Sequence, residues 1–337
     1  MKKKLRAGIN TTRANWDWVF PPPVREAYRE LLDFDDSGVP EREDPAAIAA
    51  GLRGAEVAVA CWNAVPFTGE LLDLCPDLRI ILYAAGTVKY FVTPELLRRG
   101  IPVTSAAAMN AVPVAEFVLG LILTSLKNVV PHHMDFLARG RAAWETDRAG
   151  YNGGCYKTRV GLIGDGLIVR RLLDLLRSFD MEVLVASDYF TPRDEEAYGA
   201  RRAALDELMS LCDVVSVHHA DVPENWNIIN ARTLGLMKKG ARLINTSRGR
   251  MIDEAALVKK LETGDITAYL DVTHPEPPEE GHPFYRLPNC VLTPHVAGSI
   301  GGETARMSLF CLDELRRFLA GEPLLGLVDF SRLEHRA

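Results

Sequence analysis

Short runs of β-branched and other apolar residues alternate with longer amphipathic stretches in the first third of the chain. This alternation predicts βα units and a parallel sheet. The apolar runs predict strands at Leu5–Ile9, Val57–Cys61, Arg79–Leu82 and Pro102–Thr104. The stretches between them predict helices, among them Pro23–Leu32 and Thr68–Leu74. We therefore expect a small α/β domain in this part of the chain.

The same rhythm repeats more clearly from Arg159 onwards. Successive apolar runs here are separated by about the length of one βα unit. The predicted strands are Val160–Ile163, Val183–Ala186, Val214–Val217, Arg242–Asn245, Ala268–Leu270 and Val291–Leu292. A row of such units indicates a doubly wound sheet.

Two segments of small residues predict crossings between the domains. Thr104–Asn110 leads into an apolar stretch, and Ala297–Gly302 carries three glycines in six residues. A helix over Glu303–Ala320 is predicted to follow the second segment. If both segments are crossings, residues 1–106 and 301–337 form a discontinuous domain, and residues 107–300 form the other.

The apolar stretch Ala111–Leu126 is short for a bilayer and is interrupted by Pro113 and Glu116. We interpret it as a buried helix rather than a membrane span. The segment Thr273–Pro288 is rich in proline, so no regular structure is predicted there.

Composition narrows the classes of function. Asp and Glu number 45 against 39 Lys and Arg, so the net charge is −6, and no basic block predicts nucleic-acid binding. The six cysteines are dispersed and the eight histidines show no zinc-ligand spacing, so no metal is expected. Because no apolar signal region follows the N-terminus, we expect a cytoplasmic protein with reduced thiols.

A glycine motif follows the first strand of the second set. Gly164 and Gly166 fill the first two positions of G-x-G-x-x-G, where the backbone turns tightly and approaches a pyrophosphate at a helix N-terminus. Val169 replaces the third glycine, which normally permits close packing of helix on strand. We therefore expect the helix to stand slightly farther off and cofactor affinity to be affected. An ordinary βα turn carries the same pattern and is the alternative.

Asp188 ends the next predicted strand, 24 residues after Gly164. A carboxylate at this place can accept hydrogen bonds from both hydroxyls of an adenosine ribose, and it repels a 2′-phosphate. We therefore expect NAD rather than NADP. The neighbouring Arg193 leaves some tolerance of NADP open, and a solvated turn aspartate is the alternative interpretation.

Three polar residues follow later strands of the predicted sheet: Arg248, Glu276 and His295. The carboxyl ends of parallel strands face one crevice, so these side chains are expected to meet. Arginine can hold a carboxylate with two parallel hydrogen bonds, and histidine can give and take a proton. A glutamate bonded to the other ring nitrogen would fix the ring. Taken singly, the three could be a surface arginine, a solvated glutamate and a core histidine.

In this order, the glycine motif, Asp188 and the three polar segments resemble the D-isomer-specific 2-hydroxyacid dehydrogenases. The resemblance covers nearly the whole chain and implies two doubly wound α/β domains. A Rossmann cofactor domain would be inserted into a discontinuous, flavodoxin-like substrate domain. It implies NAD-dependent interconversion of a 2-keto acid and a D-2-hydroxy acid, with Arg248 as carboxylate clamp and His295–Glu276 as acid–base pair.

The resemblance also implies a cofactor site, a substrate loop and a homodimer through the cofactor domain. The apolar helix from Ala111, with Trp144 on the following arm, would suit that dimer interface, and burial inside one subunit is the alternative. The expected cofactor contacts are Gly164, Gly166, Leu167, Ile168, Asp188, His218, Thr246 and Asp271, the last beside the nicotinamide carboxamide.

The substrate loop departs from the family pattern G-x-G-x-D-N. Ala84–Lys89 stands in its place, with Gly86 retained. The backbone N–H groups of the loop can still hold a substrate carboxylate, and the residues expected to offer them are Ala85, Gly86, Thr87 and Val88. Lys89 could add positive charge for a larger or doubly charged acid, or could be a solvated loop residue.

Two other functions stay open at this point. Some proteins that resemble this family act as NAD-sensing corepressors, and these can retain the same polar residues. Formate or phosphonate oxidation on the same scaffold is the other alternative. Neither the acid itself nor the preferred direction follows from the sequence.

Overall fold

The structure is a computed structural model that describes residues 4–145 and 153–332. The chain divides into two compact units, one formed by residues up to Ala111 and from Ser299 onwards, the other by Val112–Gly298. The divisions therefore fall five residues after and two residues before the predicted ones. We describe each unit by itself.

The first unit contains a parallel five-stranded sheet with the order β2-β1-β3-β4-β5. Its strands are β1 Leu5–Asn10, β2 Leu32–Asp33, β3 Val57–Ala60, β4 Ile80–Tyr83 and β5 Val103–Ser105. Its helices are α1 Arg13–Val19, α2 Pro22–Leu31, α3 Pro45–Leu52, α4 Gly69–Leu74, α5 Pro94–Arg99 and, near the C-terminus, α13 Thr304–Ala320.

The side chains on the two faces of this sheet belong to two separate hydrophobic cores. Val57 and Val59 of β3 lie in a core with residues of α1, α2 and α13. Ala58 and Ala60, which point to the opposite face, lie in a second core with residues of α3, α4 and α5. Both faces of the sheet are therefore covered, as a parallel sheet requires.

The second unit contains a parallel seven-stranded sheet with the order β12-β11-β10-β9-β6-β7-β8. Its strands are β6 Arg159–Ile163, β7 Glu182–Ala186, β8 Arg201–Arg202, β9 Val214–Val217, β10 Arg242–Asn245, β11 Thr267–Leu270 and β12 Cys290–Leu292. Its helices are α7 Val129–Arg139, α8 Leu167–Leu176, α9 Pro192–Tyr198, α10 Leu205–Leu211, α11 Ala231–Leu236 and α12 Glu254–Glu262. The strand order reverses between β6 and β9, where sheets of this kind bind their ligands.

Helix α6, Ala107–Leu126, begins in the first unit and continues into the second. The segment predicted as a bridge, Thr104–Asn110, is instead the end of β5 and the first turn of this helix. The Ser105 hydroxyl accepts a hydrogen bond from the Ala107 N–H, which satisfies one free donor at the helix start.

By length and composition α6 could cross a membrane, since it has 20 residues and a mean hydropathy of 1.7 in its most apolar window. Core helices pass the same test. Val114, Val118 and Ile122 are buried against residues of β6 and α8, which favours a core helix.

Several short elements lie outside the predicted pattern, among them β2, β8 and one turn of 3-10 helix. Strands β2 and β8 have two residues each, too few to show the alternation of a strand. Leu32, expected to end a helix, belongs to β2, since α2 ends at Leu31. The proline-rich segment contains one turn of 3-10 helix at Pro283–Tyr285, because proline fits the first position of such a turn.

Candidate active site

The glycine turn lies at the carboxyl end of β6, where the strand order reverses. Gly164 has a φ of +110°, a conformation that residues with a Cβ rarely adopt. A Cβ on Gly164 would also stand 3.0 Å from the carbonyl oxygen of His218, at the end of β9. Glycine therefore lets β6 turn while the backbone that follows β9 lies against it.

Helix α8 begins directly after Gly166 and has no side-chain cap. A Cβ on Gly166 would meet no atom of the described residues within 4 Å, so they leave space beside the helix start. The first N–H groups of a helix have no intrahelical partner and attract anions. Leu167 and Ile168 supply two of these groups, and their contact with a cofactor stays a prediction.

Val169, which replaces the third glycine of the motif, is fully buried. Its side chain lies in the core formed by α6, α8 and β6. The core therefore accommodates the larger side chain at this position. An effect on cofactor affinity stays a prediction.

Two buried polar atoms at the ends of neighbouring strands have no hydrogen-bond partner among the described residues: His218 Nδ1 and Thr246 Oγ1. The other ring nitrogen of His218 lies 2.9 Å from the Ser216 hydroxyl. Burial lowers the pKa of His218 to about 3, so the ring is neutral at physiological pH. Buried polar atoms normally have partners, and a bound polar molecule would supply them.

Asp188 follows β7, and its carboxylate is almost fully exposed. Arg202 of β8 donates a hydrogen bond from Nη2 to Asp188 Oδ1 at 2.8 Å. This partner could not be predicted from the sequence, because β8 has only two residues. Taken together, the glycine turn, the open helix start, the two unpartnered atoms and this carboxylate fit a dinucleotide at the predicted residues.

Arg248 follows β10 in a loop that its neighbours hold. The Asn245 side chain donates to the Arg248 carbonyl at 2.9 Å and accepts from the Ser247 N–H at 3.0 Å. The half-buried Arg248 side chain donates from Nη1 to the Ser247 carbonyl at 2.6 Å. This contact leaves the other donors of the guanidinium for a ligand.

Gly249 brings the Arg248 loop against the loop that carries Glu276. A Cβ on Gly249 would overlap the carbonyl group of Thr273 and the backbone nitrogen of His274. Only glycine allows the two backbones to lie so close. The Glu254 carboxylate accepts a hydrogen bond from the His274 N–H at 2.7 Å and holds the same loop.

Glu276 and His295 meet, as the sequence predicts. His295 Nδ1 lies 2.6 Å from Glu276 Oε1. The histidine side chain is 46% exposed and the glutamate side chain 39%. The pair therefore fixes one ring nitrogen on a carboxylate and leaves Nε2 for a ligand in the accessible part of the site.

Asp271 holds the loop that carries His295. Its buried carboxylate accepts hydrogen bonds from the Thr293 hydroxyl at 2.5 Å and from the N–H groups of Val296 and Ala297 at 2.9 Å each. The His295 N–H donates to the Asp271 carbonyl at 3.0 Å, and His295 takes the left-handed conformation with a φ of +54°. A contact of Asp271 with the nicotinamide carboxamide stays a prediction.

In the first unit, the predicted substrate loop follows β4. Ala85 and Val88 are buried in the core, so their side chains do not face a ligand, whereas Lys89 is exposed. The Ser105 hydroxyl bonds to the carbonyl oxygens of Ala85 and Gly86, at 3.1 and 2.7 Å. Among the described residues, no backbone group accepts from the N–H groups of Ala85 to Val88, which leaves them available for an anion.

In residues 4–145 and 153–332, no group of three or more His, Cys, Asp and Glu side chains could hold a metal ion.

Comparison with known proteins decides the family. The family model "D-isomer specific 2-hydroxyacid dehydrogenase, NAD binding domain" matches residues 119–297. The chain belongs to this family. It is therefore an oxidoreductase that uses a nicotinamide dinucleotide, and the predicted class of two doubly wound α/β domains is confirmed.

Curated relatives match along most of the chain. A glyoxylate reductase of Thermofilum pendens is 33% identical over 94% of this chain and 94% of its own length. A glycerate dehydrogenase of Methylorubrum extorquens is 32% identical over 87% of this chain and 90% of its own. Among solved structures, an NADPH-dependent glyoxylate/hydroxypyruvate reductase of Sinorhizobium meliloti has a TM-score of 0.73 and 26% identity, with 99% of each chain covered.

Proposed function

We propose that this protein interconverts a 2-keto acid and a D-2-hydroxy acid, with His295 and Glu276 as the acid–base pair and Arg248 as the carboxylate clamp. The observation that carries the proposal is the 2.6 Å contact between His295 Nδ1 and Glu276 Oε1. The same unit carries a glycine turn and a helix start that fit a dinucleotide. Family membership supports the reaction class.

When bound, the nicotinamide ring supplies the hydride in the reductive direction. His295 Nε2 gives a proton to the substrate oxygen as negative charge develops on it, and takes that proton back in the oxidative direction. Glu276 orients the ring and stabilises the imidazolium through Nδ1. Such acid–base assistance contributes about 10²–10⁴ in rate.

Arg248 binds the substrate carboxylate through two parallel N–H donors. Asn245 and Gly249 fix the loop from which the side chain projects. The N–H groups of Ala85 to Val88 in the first unit have no backbone acceptor among the described residues, so these groups can also donate to an anion.

The test follows NADH absorbance with a panel of 2-keto acids: glyoxylate, hydroxypyruvate, pyruvate, 2-ketoisocaproate and phenylpyruvate. NADPH is run in parallel. We expect oxidation of NADH with at least one acid, faster than with NADPH because Asp188 favours the unphosphorylated ribose. Binding of NADH without turnover of any acid would contradict the proposed reaction and favour a sensor.

We also propose that two copies of the chain pair through the second unit. No residue of α7 is buried, and large apolar side chains of this helix and the following segment are exposed: Val129, Val130, Met134, Phe136, Leu137 and Trp144. A cluster of exposed apolar side chains marks an interaction surface, and closed pairs of identical subunits are the commonest assembly.

A cytoplasmic location and the absence of a nucleic-acid partner stay predictions.

A further inference from the structure

The adenosine end of the predicted cofactor site carries an ion pair that spans two strands. Asp188 follows β7, and its side chain is 96% exposed. Arg202 lies on β8, where it pairs with Val185 of β7 in parallel register. This register brings the guanidinium within 2.8 Å of the Asp188 carboxylate.

A single carboxylate at this position discriminates between the two nicotinamide dinucleotides by charge. It accepts hydrogen bonds from the ribose hydroxyls of NADH and repels the 2′-phosphate of NADPH. A guanidinium bonded to that carboxylate cancels much of the repulsion. It also offers the planar set of donors that binds phosphate with two hydrogen bonds.

The Arg202 side chain can exchange one anion for the other at low cost. Its backbone N–H is fixed on the Glu195 carboxylate at 2.6 Å, while its side chain is 47% exposed. Ion pairs between exposed groups contribute little to stability. When the Arg202 side chain leaves Asp188 for a phosphate, the protein therefore loses little stability. A phosphate is the stronger partner because it carries more charge than a carboxylate.

We propose that Arg202 is a second determinant of cofactor choice, which lets this site accept the 2′-phosphate of NADPH as well as the ribose hydroxyls of NADH. The inference rests on the proposed function only in assigning this end of the site to adenosine. Asp188 gives the site its preference for NADH over NADPH, and Arg202 makes that preference smaller.

The strand offers a matched control. Arg201 precedes Arg202 on β8, so its side chain points to the other face of the sheet. It bonds to Glu207 at 2.9 Å, not to Asp188. Arg201→Gln and Arg202→Gln therefore remove the same charge from adjacent positions, and only the second removes the partner of Asp188.

The experiment measures dissociation constants of NADH and NADPH by nucleotide fluorescence, without substrate, for the wild type, Arg202→Gln, Arg201→Gln and Asp188→Asn. We expect the wild type to bind NADPH within about tenfold of NADH. Arg202→Gln should weaken NADPH about tenfold, the loss of a charge-assisted contact, and NADH less than about threefold. Asp188→Asn should tighten NADPH and weaken NADH, and Arg201→Gln should leave the ratio of the two constants unchanged.

Equal losses of both nucleotides in Arg202→Gln, or the same ratio as in Arg201→Gln, would overturn the role of Arg202. A wild type that binds NADH alone would also overturn it. The experiment measures binding alone. If the protein binds both nucleotides but reduces no 2-keto acid, that result contradicts the proposed reaction and not the role of Arg202. A protein that binds neither nucleotide contradicts both.

Discussion

Asp271 is buried, and its carboxylate is shared among the Thr293 hydroxyl and the N–H groups of Val296 and Ala297. Each of these bonds has a charged acceptor, and such bonds are roughly twice as strong as bonds between neutral groups. They surround His295, which takes a left-handed backbone conformation that is costly for a residue with a Cβ. We infer that this buried carboxylate offsets that cost and sets the position of His295.

Acid should unfold the protein partly through His218. Burial lowers its folded-state pKa to about 3, whereas an unfolded histidine has a pKa near 6.5. Below pH 6.5 the unfolded chain therefore binds a proton that the folded chain does not, so stability is present at neutral pH and falls as the pH drops from 6.5 towards 3. The contribution is about 1.4 kcal/mol per pH unit.

The His218→Gln variant lacks this titration. Urea unfolding at pH 7 and pH 5 should show a loss of stability in the wild type that is roughly 2 kcal/mol larger than in the variant. Equal losses in the two proteins would mean that His218 is not held neutral by burial.

Single residues were predictable where a motif fixes the chemistry. Arg248, Glu276 and His295 could be predicted because each lies in a segment that follows one of three consecutive strands. In the structure, Glu276 and His295 form a hydrogen bond. The hydrogen bonds that Asp271 accepts were not predictable, because they depend on loop geometry that no residue pattern encodes. Arg202 was missed for a different reason, since a strand of two residues carries no periodic signal.

The contact between the loops after β10 and β11 depends on Gly249. A methyl group there would overlap the Thr273–His274 backbone. Backbone atoms cannot move aside as the end of a flexible side chain can. Gly249→Ala should therefore displace the Glu276 loop, lower stability by about 3 kcal/mol, as overpacking does, and abolish turnover.

Gly235→Ala is the control for that variant. Gly235 lies in helix α11, and a Cβ there would meet no atom of the described part of the chain within 4 Å. Alanine is a better helix former than glycine, so this variant should keep turnover and lose no stability. If thermal unfolding and kcat/KM were the same for the two variants, the contact through Gly249 would be unimportant.

Most elements were predictable, because a buried parallel strand is a short apolar run between helical stretches. The ten predicted strands are present within one residue at each end. The start of α6 was missed by four residues, since Ala107 and Ala108 are good helix formers in a segment that reads as a small-residue linker.

The proposed pairing of two copies should be sensitive to charge on α7. Leu137 is 68% exposed on this helix, and Leu137→Glu would place an unpaired carboxylate in the apolar interface. Light scattering should give twice the chain mass of 37.3 kDa for the wild type and a smaller average for the variant.

Leu325 is the matched control for pairing. It is 67% exposed but lies in the first unit, far along the chain from α7. Leu325→Glu should leave the mass of the particle unchanged. A wild type that is monomeric at all concentrations, or two variants that dissociate equally, would remove α7 from the interface.

We propose that His295, held by Glu276, moves the proton while the protein binds its nucleotide elsewhere. The most direct measurement compares kcat/KM for the best 2-keto acid with the dissociation constant of NADH, in the wild type and in His295→Gln. We expect a loss of about 10²–10⁴ in kcat/KM with NADH binding changed less than about threefold. A variant that retains turnover, or that loses NADH binding in proportion to turnover, would contradict it.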